Sequence, residues 1–381
     1  RVDVYVNDAR AFMRGAPSKR YDLVVFGLLD SHTLLSGMSA VRLDNFVYTA
    51  ESLREARRLL KDDGVLALSF ATGGGGFLTT RLYRMIEQVF ESPPRAVELN
   101  YDNGMMFLAR NPAGGSTALS LPEGVAEQTI TLVPGVEPAT DDWPFLYLQG
   151  RGWQEIPRSY FVMVGILALI SIAWVLAGSG RKTGISPHFF FLGGAFLLIE
   201  VKGITELALI YGTTWIVSSV VIAAILVLIL LANLFVTKFP AQNPRLHYGL
   251  LAACLLAGYV VKLDWLLRYG WWAAAVSATL LLVLPLFFAG VIFATSLRRE
   301  TDLPRVFASN LLGAILGGFC EYSAMMLGFR NLYLLGLALY ALSFLTMPRR
   351  GPLGLKPEEE KAERAGLAVG VPPPATAGER A

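Results

Sequence analysis

Charge and cysteine are what this sequence has least of. Asp, Glu, Lys and Arg make up 17% of its 381 residues, against about 25% in an ordinary soluble domain. The deficit is uneven: 1–158 carries a soluble domain's mixture, whereas 160–347 is one apolar block after another. Two parts of different solvent class are expected. The formal net charge is only +3, and no Lys/Arg run with interleaved aromatics occurs in the soluble part, which excludes nucleic acid as an expected partner. The only cysteines, Cys254 and Cys320, both lie in apolar segments. That excludes a disulfide framework and a Cys-based metal site, and no metal is expected.

What is present in the soluble part is an alternation of periods. Val2-Asp3-Val4-Tyr5-Val6 alternates like a half-buried strand, so the chain is read as opening in mid-domain, with no leader or anchor in view. Asp8-Ala9-Arg10-Ala11-Phe12-Met13 continues as a helix, and Leu23-Val24-Val25-Phe26 as a second strand. Over 49–61, Leu53, Ala56 and Leu60 recur at helical spacing while Glu51, Arg54, Glu55 and Arg58 cover the other face, and Asp62-Asp63-Gly64 ends that helix. Val65 to Phe70 reads as a third strand, 79–90 as a third amphipathic helix, and Met105 to Ala109 as an edge strand. Strands alternating with helices imply a mostly parallel sheet covered on both faces, about half of a doubly wound α/β fold. Residues 111–158 read as a connector, loosely structured over 111–144.

In doubly wound folds ligands bind beyond the carboxyl ends of the strands, which singles out Asp8, 27–32 and 69–76. The run Gly73-Gly74-Gly75-Gly76 lacks the spacing and the following Lys-Ser/Thr of a phosphate loop. It is read as a turn.

Residues 2–13 with Asp8-Ala9-Arg10, then Tyr21-Asp22-Leu23-Val24-Val25, Phe46-Val47-Tyr48 and Leu60-Lys61-Asp62-Asp63-Gly64-Val65-Leu66, resemble in order and spacing the later half of the spermidine synthase family, the polyamine aminopropyltransferases. Asp141-Asp142-Trp143-Pro144-Phe145 and 191–233 also resemble its membrane-embedded bacterial members. The resemblance implies a class I methyltransferase fold over 1–110, truncated at its amino-terminal side. It also implies S-adenosylmethionine or its decarboxylated form as cofactor, with Asp8 and Ala9 at the adenine. On residue type alone Asp8 reads equally as a helix cap. The family's proton-accepting Asp falls on Gly27, and the second Asp of its pattern on Asp30. Asp30, with His32 as a general base titrating near neutrality, is therefore the candidate catalytic pair, acting on a small-molecule acceptor, either an amine or a lipid-borne group.

A bilayer core takes about 20 apolar residues per helix. Segments 160–178, 188–210, 214–236, 246–263, 270–294, 306–327 and 331–347 qualify, giving an all-α polytopic membrane domain of about seven helices over 159–347. Ser309, Gly313 and Gly317 form a small-residue ladder suited to close helix packing. Glu200, Lys202, Glu206 and Glu321 fall inside these segments, where an ionised group costs at least about 2.5 kcal/mol. Lys202 and Glu206, four apart, share a face and can pair. All four, with Asn233 and Asn310 beside them, make a candidate intramembrane polar site; the other reading is an ion pair that pins helices.

With seven spans Arg181, Lys182, Lys238, Arg245, Arg298, Arg299, Arg305, Arg349 and Arg350 lie opposite the soluble domain. Lys262, Arg268 and Arg330 lie on its own side, so the positive-inside rule puts that domain outside. A domain using a cytosolic cofactor belongs inside, and the reading taken is a cytoplasmic domain with the helix count off by one, in a bacterial inner membrane. The tail 348–381, with Glu358-Glu359-Glu360 and Pro372-Pro373-Pro374, has no apolar periodicity and reads as disordered. The functional expectation is a membrane-bound spermidine synthase-like transferase. Its alternative is a non-catalytic transport or sensory membrane protein, and the oligomeric state stays open.

Overall fold

The computed structural model describes residues 2–27, 43–72, 76–99, 104–115, 119–121, 123–156, 158–179, 184–212, 215–239, 243–261, 265 and 271–348. Helix α1 (Ala9–Gly15) starts where the Asp8 side chain accepts the Ala11 N–H at 2.9 Å. Strand β1 (Tyr21–Gly27) follows, and a 3-10 turn (Leu43–Tyr48) leads into α2 (Ala50–Leu59), capped by the Thr49 hydroxyl. Then come β2 (Leu60–Ala71), α3 (Gly76–Phe90), β3 (Arg95–Leu99) and β4 (Gly104–Arg110).

The sheet order is β1-β2-β4-β3. Strands β1 and β2 are parallel, and β4 runs antiparallel to both its neighbours, pairing Leu68 with Phe107 and Val97 with Met106. The sheet is therefore mixed rather than mostly parallel, although β1, β2 and β3 share one direction. Met105 to Ala109 is an interior strand, not an edge, since Met105, Phe107 and Ala109 alternate into the core while the backbone pairs on both sides. Helices α2 and α3 cover one face with Leu53, Ala56, Leu82 and Ile86 over Leu66, Leu68 and Phe70. On the other face Leu23 and Val25 stay 53% and 59% exposed, so coverage of both faces is not found among the described residues.

Two further expectations are corrected. Residues 2–6 form no strand: Val2, Val4, Tyr5 and Val6 are exposed, and alternation without a neighbouring strand builds no ladder. Asp62-Asp63-Gly64 does not end a helix but lies inside β2, where the register against β1 shifts between Tyr21 and Leu23.

The connector is irregular yet packed. Ala139 and Leu146 join the sheet's core, whereas Trp143, Phe145, Leu148 and Ile156 join that of the helical bundle. Arg81 on α3 holds it in place. Fully buried, Arg81 donates to the carbonyls of Glu137 at 2.8 Å, Phe145 at 3.2 Å and Gln149 at 3.0 Å, and to that of Leu146, and its guanidinium lies 5.1 Å from the Trp143 ring. Burial lowers its pKa to about 10, so it stays cationic at neutral pH. Arg81→Met leaves these carbonyls without a donor and is expected to cost about 2 kcal/mol. Arg81→Lys should recover only part of it, since an ammonium lacks the planar fork; chemical unfolding of the full chain in detergent measures both.

The bundle consists of α4 (Arg158–Ser179), α5 (Pro187–Tyr211), α6 (Trp215–Lys238), α7 (Pro244–Val260), α8 (Trp271–Leu297), α9 (Leu303–Glu321), the single turn α10 (Ala324–Leu327) and α11 (Leu332–Leu345). Among the described residues three stretches are long and apolar enough to cross a membrane, Val221–Lys238, Val276–Leu297 and Leu303–Leu327. Leu169, Trp174, Leu226, Leu230 and Leu280 point outward and exposed, as lipid-facing side chains would. Of the residues used for orientation, Arg181, Lys182, Lys262, Arg268, Arg349 and Arg350 lie outside the described residues, as does the tail from 349.

Helices α5 and α9 meet backbone to backbone. A Cβ at Gly194 would stand 3.0 Å from the Gly313 carbonyl oxygen, one at Gly313 would fall on the Phe190 carbonyl, and one at Gly317 on that of Gly194. The Ser309 hydroxyl accepts the Ser186 N–H at 2.8 Å. The small-residue ladder is thus a packing seam.

At the start of α5, buried His188 ties four helices. Its Nδ1 lies 2.9 Å from the Ser343 carbonyl, which only accepts, so Nδ1 carries the proton and Nε2 accepts from the Ser296 hydroxyl at 2.9 Å. The Ser343 hydroxyl donates to the His188 carbonyl at 3.0 Å and lies 2.8 Å from the Tyr248 hydroxyl, which therefore donates to it.

Candidate functional site at the junction of sheet and bundle

Asp8 fixes the start of α1, and α1 buries Arg10 on the side facing the bundle. Arg10 grips Asp141 through both guanidinium nitrogens, Nη1 to Oδ1 at 2.9 Å and Nη2 to Oδ2 at 2.8 Å. Nη1 also donates to the Phe46 carbonyl at 2.7 Å and to the Thr49 hydroxyl at 2.8 Å. The Thr49 hydroxyl in turn donates to Asp141 Oδ1 at 2.7 Å, and Glu51 accepts the Asp141 N–H at 2.9 Å. Burial alone would raise the Asp141 carboxyl, but Arg10, Thr49 and Arg14 together hold it below the ordinary carboxylate range. Glu51 moves the other way, raised by burial and by the charge of Asp141.

The next two residues fasten the strap to the bundle. The Asp142 carbonyl accepts the Phe329 N–H at 2.8 Å, and its Oδ1 accepts the Arg330 N–H at 2.7 Å. This requires Gly328: its φ is +84°, and a Cβ there would lie 2.6 Å from Asp142 Oδ2. The Trp143 indole N–H donates to the Met325 carbonyl at 2.7 Å.

On α5, Lys202 is fully buried and donates to Glu206, whose second carboxylate oxygen accepts the Tyr333 hydroxyl at 2.8 Å. The Lys202 ammonium sits 3.6 Å from the centre of the Tyr333 ring, so the cation is held by a carboxylate and an aromatic face together. Asp142 lies within electrostatic reach of it.

Of these groups Glu51, Asp141, Asp142, Glu206, Phe329, Arg330 and Tyr333 line a cavity of about 370 Å³ between the α/β part and the bundle. Its walls come from the 3-10 turn and α2, from the Thr140-Asp141-Asp142 strap, and from α5, α7, α8 and the segment leading into α11. No family model, curated protein or solved structure matches this chain. The cavity is therefore read from its own residues.

Of the residues singled out in the sequence, Glu206 lines this cavity and Lys202 stands paired behind it. Glu200 and Glu321 do not line it, and neither has a hydrogen-bond or ion-pair partner among the described residues. Asn233 and Asn310 lie elsewhere, Asn310 against Gly193 in the α5–α9 seam. Asp8 caps α1 and packs on Gly212 at the end of α5, outside the cavity. Asp30 and His32 lie outside the described residues, as do Gly73, Gly74 and Gly75.

Nothing in residue order singles out Arg10, Thr49, Arg330 or Tyr333 for this role, and helical spacing puts Glu51 on the face opposite Leu53 and Ala56. Arg10 and Asp141 are 131 residues apart. The available signal was the doubled acid Asp141-Asp142 beside a Trp, too polar a start for an apolar strap unless cations await it.

Proposed function

We propose that this chain is a membrane-bound transferase of the spermidine synthase-like kind, with S-adenosylmethionine or its decarboxylated form on the α/β side and an acceptor in the junction cavity. The observation that carries the reading is the cavity's composite wall, built jointly by the α/β part and by helices of the apolar bundle. A methyltransferase-like arrangement is supported by the shared direction of β1, β2 and β3. It is supported also by the carboxyl ends of β1 and β2, which lead into 28–42 and 73–75, where Asp30, His32 and the glycines lie.

At the head of α1, Ala9 is exposed and Asp8 half-buried, which fits the edge of a purine whose amine needs an acceptor. When bound, such a cofactor supplies a carbon activated by a neighbouring sulfonium. Asp30 with His32 would take the acceptor's proton. A second reading, a transport or sensory protein in the inner membrane, draws support from Glu200 and Glu321, since unpaired carboxyls inside apolar helices commonly mark ion pathways.

Calorimetric titration of the full chain with each cofactor separates the two. The transferase reading expects saturable binding of one cofactor, lost in Asp8→Ala. No heat with either would overturn it in favour of the second reading.

A further inference from the structure

Polar groups inside the bundle line up along the facing sides of α5 and α11. On α5, His188, Leu192, Ala195, Ile199, Lys202 and Glu206 recur at helical spacing, and all but Glu206 are buried. The two helices run antiparallel: His188 meets Ser343, Ile199 lies against Gly336, and Lys202 and Glu206 meet Tyr333. From His188 to Glu206 is 18 residues, roughly 27 Å at about 1.5 Å per residue, close to the hydrocarbon thickness of about 30 Å. The row thus reaches from the end of the bundle opposite the junction to the wall of the junction cavity.

At the far end the groups already touch. Ser296 of α8 donates to His188 Nε2, and His188 Nδ1 lies 3.1 Å from the Ser343 hydroxyl, which is 2.8 Å from that of Tyr248 on α7. Exposed Arg298 and Arg299 lie just beyond Ser296, and Glu300 is within electrostatic reach of the imidazole. Next along α11 comes Tyr340, only 2% exposed, whose hydroxyl has no hydrogen-bond partner among the described residues. An unpaired buried hydroxyl costs stability that a Phe would not, and a water is the usual partner for one. Tyr248 and Glu200 both lie within electrostatic reach of Tyr340. Glu200 stands on α5 just before Lys202, which holds Glu206 at the cavity.

We propose that this file conducts protons through the bundle, from Ser296 by way of His188, Ser343, Tyr248 and Tyr340 to Glu200, and on to Glu206 at the cavity. A proton arriving at Ser296 sends that hydroxyl's own proton to Nε2. Nδ1 then gives its proton to the Ser343 hydroxyl, and each hydroxyl hands one on until Glu200 takes it. One proton enters and one leaves; the hydroxyls turn back, and a half-turn of the imidazole restores the proton to Nδ1. Glu200 and Glu206 are roughly 9 Å apart along the helix, so that hop passes through water from the cavity. Hydroxyl and imidazole groups both give and accept protons. A metal cation takes several oxygens at once, whereas the file is one group wide. The inference rests on the bundle alone, and it supplies the second reading with its ion.

The test is proton uptake by the full chain in phosphatidylcholine liposomes, with pyranine trapped inside and a potassium gradient with valinomycin setting the potential. Wild type is expected to acidify the lumen at least tenfold faster than liposomes without protein, and Tyr340→Phe and Glu200→Gln should each slow it at least tenfold. Tyr340→Phe removes an oxygen that bonds to none of the described residues, so it should keep the fold, which unchanged monodispersity in detergent verifies. A wild type no faster than empty liposomes, a rate that either variant leaves unchanged, or equal uptake of radioactive sodium under the same potential would each overturn the proposal. Proton uptake without cofactor binding would leave it standing and remove the transferase; cofactor binding without proton uptake would do the reverse.

Discussion

Replacing Gly313 and Gly317 together by Val is expected to abolish the docking of α9 on α5 and with it the folded full-length protein. The side chains would have to occupy the space now held by the carbonyls of Phe190 and Gly194, and backbone cannot rotate aside as a flexible side chain can. Overpacking costs about 1–3 kcal/mol per site where side chains can adjust and more where they cannot. Between apolar helices in lipid, close packing is itself the main attraction, so losing it leaves little to hold the pair. Gly203→Ala on the same α5 is the control, since a Cβ there meets nothing within 4 Å. It should be neutral or stabilising by up to about 1 kcal/mol. Thermal loss of monodispersity in detergent reads both; a double variant as heat-stable as wild type would refute the seam.

Asp141→Ala should destabilise the chain by about 3–5 kcal/mol, because it strands the Arg10 guanidinium in a buried site. Much of that cost belongs to the orphaned charge rather than to the pair. Arg10→Met with Asp141→Leu should accordingly recover most of the stability while removing that ion pair. Acid titration gives a second check. A carboxyl held below its ordinary range contributes stability that is present above its unfolded value, about 3.9, and is lost as pH falls through the folded value. Glu51 has the opposite sign: its raised value contributes below the unfolded value and is lost as pH climbs through the folded one. Wild type should therefore lose stability steeply below about pH 4, and Asp141→Asn should lack most of that slope. Chemical unfolding at several pH values measures it; parallel slopes would sink the pairing.

The parts of this molecule that could be read from residue order are those governed by local periodicity. Helix α2 announces itself through the spacing of Leu53 and Ala56, and the bundle helices through runs of apolar residues, because each is stabilised by neighbours within a few positions. The Lys202–Glu206 pair was likewise visible, being one helical turn apart. Residues 2–6 misled because alternation marks a strand only when a partner lies alongside, and β4 misled because pairing on both sides leaves no local trace. Arg10, Glu51 and Tyr333 were hidden for a third reason: a helix face of mixed charge looks the same whether it meets water or the Asp141-Asp142 strap.

That strap also dictates a timetable. Trp143 waits for a carbonyl 182 residues further along the chain, and Asp142 for the backbone of Phe329 and Arg330. A ribosome delivers the sheet long before it delivers that segment. The α/β part therefore leaves the exit tunnel able to close its core but not its hinge to the bundle. While the later helices are being made Asp141 can already be held by Arg10, but Asp142 and Trp143 stay unlatched until the segment around Gly328 arrives.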